Sequence, residues 1–153
     1  MNTTEKILQN LPYEEPFLFV DGLQEVSEER VEGFYTFKSD SYFYKGHFKG
    51  NPVTPGVILT ECCAQIGLVC MGLYTFTLSD TLINKNQIGI GLSSSEMEFY
   101  TPVYPDEKVR VVSEKIYYRF HKLKCNVKMY NSKNELVCKG TIAGMIKSLD
   151  DGR

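Results

Sequence analysis

The chain has two histidines, and one of them sits where an imidazole could be held still. His47 lies in GHFKGNPVTPG, between Gly46 and a proline-braced approach to a helix start. Gly46, Gly50 and Gly56 keep that backbone uncluttered, while Pro52 and Pro55 restrict it. Taken alone, a loop histidine is more often a hydrogen-bonding residue than a catalyst. Glu61 changes the balance, because it is a carboxylate in a run otherwise almost free of charge. A buried, unpaired carboxylate must be solvated, paired or protonated. Burial raises its pKa, which suits an acid that has to hold a proton near neutrality. The competing reading of Glu61 is an exposed residue on a helix edge. Gln65 lies one helical turn on and can hydrogen-bond Glu61. The N–H groups of Gly56 and Val57, at the start of the same helix, have no intrahelical acceptor and can hold an oxyanion.

These groups match one reaction closely. A 3-hydroxyacyl thioester loses water when a base takes the α proton, donors hold the carbonyl oxygen, and an acid protonates the leaving hydroxyl. His47 fits the base, Gly56 the oxyanion donor and Glu61 the acid.

The elements that must position these residues can be read from patterning. Asn2–Asn10 predicts a short amphipathic helix with Ile7 and Leu8 inward. Phe17–Asp21 is a short apolar run, Val31–Lys38 alternates, and Tyr42–Thr54 reads as a loop. Thr54 fits an N-cap and Pro55 a first helical position, so a helix is expected from about Pro55 to Tyr74. Gly67 and Gly72 would let its backbone lie close to a sheet. Leu78–Gln87 reads as a loop, and strands follow at Ile88–Ser93, Met97–Phe99, Glu107–Val112, Ile116–Tyr130 and Leu136–Lys147. The last two flank a turn at Asn131–Asn134, and Leu123, Cys125, Val127 and Met129 alternate with cationic neighbours. His121 falls on the solvent side of that strand. The sum is an α+β fold in a single domain spanning residues 1–153.

Composition narrows the classes further. The 153 residues carry 17 basic and 19 acidic side chains, which argues against a nucleic-acid binder. Five cysteines, at 62, 63, 70, 125 and 138, form no close pair and are expected as free buried thiols in a reducing cytoplasm. The N-terminal MNTTEKILQNLP lacks the apolar stretch of a signal peptide. Gly56–Leu78 is long enough to cross a bilayer, but Glu61 inside it and the strand-rich remainder favour a core helix over a membrane span.

The motif His47-Phe48, Asn51-Pro52-Val53, Pro55-Gly56-Val57-Ile58, Glu61 and Ala64-Gln65 resembles the 3-hydroxyacyl-(acyl-carrier-protein) dehydratases of type II fatty-acid synthesis. Leu11-Pro12, Pro16-Phe17-Leu18-Phe19-Val20-Asp21, Phe99, Pro102-Val103 and Pro105 extend the resemblance over nearly the whole chain. It implies a hot-dog fold, with a long central helix wrapped by an antiparallel sheet of five to six strands. It also implies a cytoplasmic homodimer, with possible higher assembly, in which His47 of one chain meets Glu61 of the other beside an acyl tunnel. Gly56, Val57 and Gln65 would contact substrate or its oxyanion. No metal or organic cofactor is expected. The acyl chain would arrive on the phosphopantetheine arm of an acyl carrier protein.

Two departures stand out. Tyr13, Glu14 and Glu15 follow Leu11-Pro12 where the family usually has a histidine and a basic residue, and Pro105-Asp106-Glu107 replaces the usual Pro-Gly-Asp. Extra carboxylates repel an acidic carrier, so Lys45 and Lys49, flanking His47, are the candidate docking cations. Two alternatives remain open: a hot-dog acyl-thioesterase in which Glu61 activates water, and a non-catalytic acyl-binding partner subunit. A cysteine acyl-enzyme is disfavoured, because Cys62 and Cys63 point about 100° and 200° around the helix from Glu61.

Overall fold

The computed structural model describes residues 2–79 and 88–148. Helix α1 (Thr3–Gln9) starts as expected, with Asn2 and Glu5 capping each other and Ile7 buried. Strands β1 (Gly22–Val26) and β2 (Arg30–Thr36) form a hairpin, with Val31 and Tyr35 turned into the core. Strand β1 went unread in the sequence, because GLQEV alternates weakly. A long helical run follows: α2 (Gly56–Cys63), a π-helical segment (Ala64–Val69) and α3 (Cys70–Ser79). It outlasts the expected end at Tyr74. The expected loop over Leu78–Gln87 lies outside the described residues, apart from Leu78 and Ser79, which continue the helix.

Four more strands close the fold: β3 (Ile88–Phe99), β4 (Lys108–Arg119), β5 (Lys122–Tyr130) and β6 (Leu136–Ser148). The two expected strands Ile88–Ser93 and Met97–Phe99 are one, continuous through the serines with a register shift between Leu92 and Ser94. The expected strand Ile116–Tyr130 is instead two. The chain reverses at Phe120-His121, both with positive φ, so Arg119 pairs Lys122 across a tight turn. His121 is exposed, but in that turn and not along a strand. All six strands form one antiparallel sheet in the order β1-β2-β4-β5-β6-β3.

The sheet wraps the long helix. Val109, Val111, Leu123, Val127, Met129, Ile142 and Ile146 face Ile66, Leu68, Val69 and Met71. Each such burial contributes roughly 1.5–3 kcal/mol before entropy is counted. The close approach expected at Gly67 is present: a Cβ there would stand 2.8 Å from that of Ser113, whose hydroxyl donates to the Gly67 carbonyl at 3.0 Å. The run Gly56–Phe76 is long and apolar enough to cross a membrane, yet 78% of its span is buried inside the fold. A helix apolar nearly all round is here a core helix. All five cysteines are free and buried.

Candidate active site

The site is assembled where the loop after β2 delivers the chain to the start of α2. A 3₁₀ turn (Tyr42–Lys45) leads into a tight loop, in which Phe48 and Asn51 exchange backbone hydrogen bonds at 3.0 and 2.9 Å. The Val53 N–H donates to the His47 carbonyl at 2.7 Å, and the His47 ring nitrogen Nδ1 lies 2.9 Å from the Val53 carbonyl. A carbonyl only accepts, so Nδ1 carries the proton and Nε2 is left as the basic nitrogen. The half-buried His47 ring stacks on Phe48 with centroids 4.2 Å apart.

Helix α2 begins at Gly56 with Pro55 as its cap, one residue later than the expected start with Thr54 as cap. Thr54 is engaged elsewhere: its N–H donates to Val103 and its hydroxyl shares a 2.6 Å hydrogen bond with Tyr44. Those bonds hold the helix start against the rest of the fold. The first backbone acceptor used in the turn is Pro55, which takes the Ile58 and Leu59 N–H groups at 3.0 and 3.1 Å. Among the described residues, the Gly56 and Val57 N–H groups have no acceptor. A Cβ on Gly56 would stand 3.3 Å from the Phe99 ring, so glycine keeps the approach to these donors open. Val57 is 77% exposed beside them.

Glu61 lies one turn further on and is half-buried. Burial holds its carboxyl above the ordinary carboxylate range, and the hydrogen bond from Gln65 offsets part of that rise. Gln65 is fully buried and its amide is saturated. Its Nε2 donates to Glu61 Oε2 at 3.1 Å and to the Phe17 carbonyl at 3.0 Å, and its Oε1 accepts from the Phe19 N–H at 2.8 Å. The amide therefore fixes one Glu61 oxygen and ties the helix to the segment before β1.

The structure thus joins Glu61 to Gln65 and places His47 in the loop leading to the Gly56 and Val57 donors. Among the described residues, no hydrogen bond or ion pair links His47 to Glu61 within one chain. Lys45 and Lys49 are exposed on either side of His47. The thiols of Cys62 and Cys63 are fully buried with pKa values pushed well up, Cys62 chiefly by burial and Cys63 by its hydrogen bond to Cys138 and by burial, so neither is a nucleophile here. One neighbour escaped the sequence reading as a site residue. The Tyr13 hydroxyl is pushed up to about 12, by burial first and by Glu61 second. Its position directly after Leu11-Pro12 was the available signal. No group of metal-ligating side chains occurs among the described residues.

Comparison with known proteins gives the family of the chain. The FabA-like domain family matches residues 11–143. A curated 3-hydroxyacyl-(acyl-carrier-protein) dehydratase FabZ from Geobacter metallireducens is 34% identical over 107 residues, 69% of this chain and 68% of that one. The FabZ of Caldicellulosiruptor saccharolyticus is 30% identical over 148 residues, covering 96% of this chain and all of the relative. Among solved structures, the dehydratase heterocomplex ApeI:P from Xenorhabdus doucetiae superposes with a TM-score of 0.78 at 10% identity, covering 99% of this chain and 95% of that one. A hypothetical thioesterase with coenzyme A from Streptococcus pneumoniae gives 0.59 at 14% identity, covering 82% and 84%. At such identities these two structures speak to the hot-dog fold alone.

Proposed function

The chain belongs to the FabA-like domain family, and from that membership we propose that it removes water from a 3-hydroxyacyl thioester to give the trans-2-enoyl thioester. It is a hydro-lyase of the dehydratase type that serves fatty-acid or related acyl-chain synthesis. The observation that carries this reading is the FabZ match along the full length of a relative. The substrate is an acyl chain held by an acyl carrier protein.

The side chains divide the work as follows. His47 Nε2, left basic by the Nδ1 bond to Val53, takes the α proton. The Gly56 and Val57 N–H groups hold the carbonyl oxygen as charge builds on it, with the positive end of the helix behind them. Glu61 gives its proton to the leaving hydroxyl, the carbon–oxygen bond breaks, and water departs. The proton then on His47 passes by way of solvent to the Glu61 carboxylate, which restores the neutral imidazole and the protonated acid. Gln65 positions Glu61 and does not touch substrate. Lys45 and Lys49 receive the acidic carrier beside the loop that holds His47.

The site is completed by a second copy of the chain. Among the described residues, strand β3 is hydrogen-bonded on one side, to β6, and forms one of the two edges of the sheet. Leu92, Phe99 and Val57 are exposed along and beside that edge. A long unpaired edge flanked by apolar side chains calls for a partner strand. A second β3 laid antiparallel to the first extends the sheet, covers those side chains and brings the two helices together. His47 of one chain then faces Glu61 of the other.

One incubation tests the reaction. With a 3-hydroxyacyl carrier thioester, enoyl absorbance rises without release of free thiol. Thiol without enoyl marks a thioesterase, and neither product marks a binding subunit. A second measurement tests the positioning role. Because Gln65 donates to the ionised form of Glu61, Gln65→Leu raises the Glu61 pKa further, so the alkaline limb of the kcat profile moves to higher pH. The same change strands the Phe19 N–H and lowers stability by about 1–3 kcal/mol in a urea melt.

A further inference from the structure

Phe48 has no place in the core. Its ring is 58% exposed, whereas Phe43 and Tyr44, a few residues earlier, pack against the buried residues. It stands among polar and small neighbours, in the run Lys45-Gly46-His47-Phe48-Lys49-Gly50. Burial within this chain therefore does not account for it. Its backbone is nevertheless pinned, since its N–H donates to the Asn51 carbonyl and its carbonyl accepts from the Asn51 N–H. Among the described residues, the ring contact that Phe48 makes is with His47, at 4.2 Å between centroids and 24° between planes. The imidazole thus lies over the negative face of the benzene ring.

The base has to carry a charge during the reaction. When it takes the α proton, the carbon–hydrogen bond breaks and a bond to Nε2 forms. The electron pair stays on the substrate and moves toward the carbonyl oxygen held by the Gly56 and Val57 N–H groups. The positive charge is left on the ring. Among the described residues, none of the ion pairs includes His47. Lys45 and Lys49, exposed two residues to either side, oppose a further positive charge. What faces the ring is the Val53 carbonyl, 2.9 Å from Nδ1, and the face of Phe48. Both attract a cation more strongly than a neutral ring. The carbonyl is also needed to fix the tautomer, whereas Phe48 has no other task in this chain.

We propose that the face of Phe48 stabilises the imidazolium that forms on His47, which makes Phe48 a positioning residue that acts through the base. This rests on the dehydration reading above, in which His47 takes the α proton. The stack gains strength as the charge develops, so it speeds proton removal without tightening the hold on substrate.

The intact protein is prepared with Phe48 exchanged for its monofluoro, trifluoro and pentafluoro derivatives. These keep the shape of the ring while draining and then reversing the charge on its face. Enoyl formation from a 3-hydroxyacyl carrier thioester is followed in a single turnover at saturating enzyme. The rate is expected to fall stepwise along the series, by about three- to tenfold at the pentafluoro ring. Phe48→Leu, which keeps apolar bulk without an aromatic face, falls about as far. Substrate affinity, melting temperature and assembly size stay at wild-type values throughout. A rate that is level across the fluorinated series overturns the proposal, because bulk alone then matters. A loss of affinity with the rate unchanged overturns it too, and makes Phe48 a substrate contact. So does a rate that falls only together with the melting temperature or the assembly size. Each of these outcomes is read against an active wild type. No enoyl from the wild-type protein instead sinks the dehydration reading itself, and this proposal with it.

Discussion

His47→Ala removes dehydration by about three orders of magnitude, measured as enoyl formation from a 3-hydroxyacyl thioester, and leaves the fold intact. The size follows from losing the group that accepts the α proton, worth 10²–10⁴ in such reactions. The preserved fold follows from what else the ring does. Its bond to the Val53 carbonyl is in a half-buried loop where water can replace it, and the Phe48 ring it stacks on is already mostly exposed. Together these contacts are worth about 1 kcal/mol. The neighbouring bonds between Phe48 and Asn51, and from Val53 to the residue 47 carbonyl, are backbone bonds that alanine keeps. Circular dichroism and a thermal melt close to wild type, with turnover gone, assign the loss to chemistry. Turnover within a few-fold of wild type removes His47 from the mechanism.

The parts of this site that could be read in the sequence are those whose determinants are local. Pro55-Gly56 announces a helix start, and Glu61 and Gln65 are one turn apart whatever the helix packs against. The cap itself was misplaced by one residue because Thr54 has a better use. Its hydroxyl pairs with Tyr44, a partner ten residues away that no capping rule contains. Gln65 shows the same limit more sharply. Its bonds to Phe17 and Phe19 reach across 48 and 46 residues, so the sequence showed a polar residue near Glu61 and hid the clamp that saturates it.

Sheet edges and turns were lost for related reasons. Ser94, Ser95 and Glu96 read as a break between two strands, but they lie on an exposed edge strand, where polar side chains cost nothing. The turn at Phe120-His121 was invisible because neither residue is one that a left-handed turn prefers. The burial alternation of Leu123, Cys125, Val127 and Met129 was legible because a period of two is enforced by a core on one face and water on the other.

Mixing inactive chains tests the shared site most severely. His47→Ala and Glu61→Gln homodimers are each expected to be inactive, and random exchange of equal amounts restores about a quarter of wild-type turnover. The fraction comes from twofold symmetry: half the dimers are mixed, and one of the two sites in each mixed dimer carries both intact residues. The experiment needs Glu61→Gln chains that fold, and the electrostatics favour them. Burial raises the Glu61 pKa, so the folded state binds a proton more tightly than the unfolded chain does. That contribution to stability is present below the ordinary carboxylate value and is lost as pH rises through the raised one. At neutral pH an uncharged glutamine in the same place is at least as stable. Its amide can still meet Gln65, yet it has no proton to give the leaving hydroxyl. Recovery near a quarter requires His47 and Glu61 to act across the interface. If exchange is verified by mass and no activity returns, each chain holds its own pair, and the second copy does not complete the site.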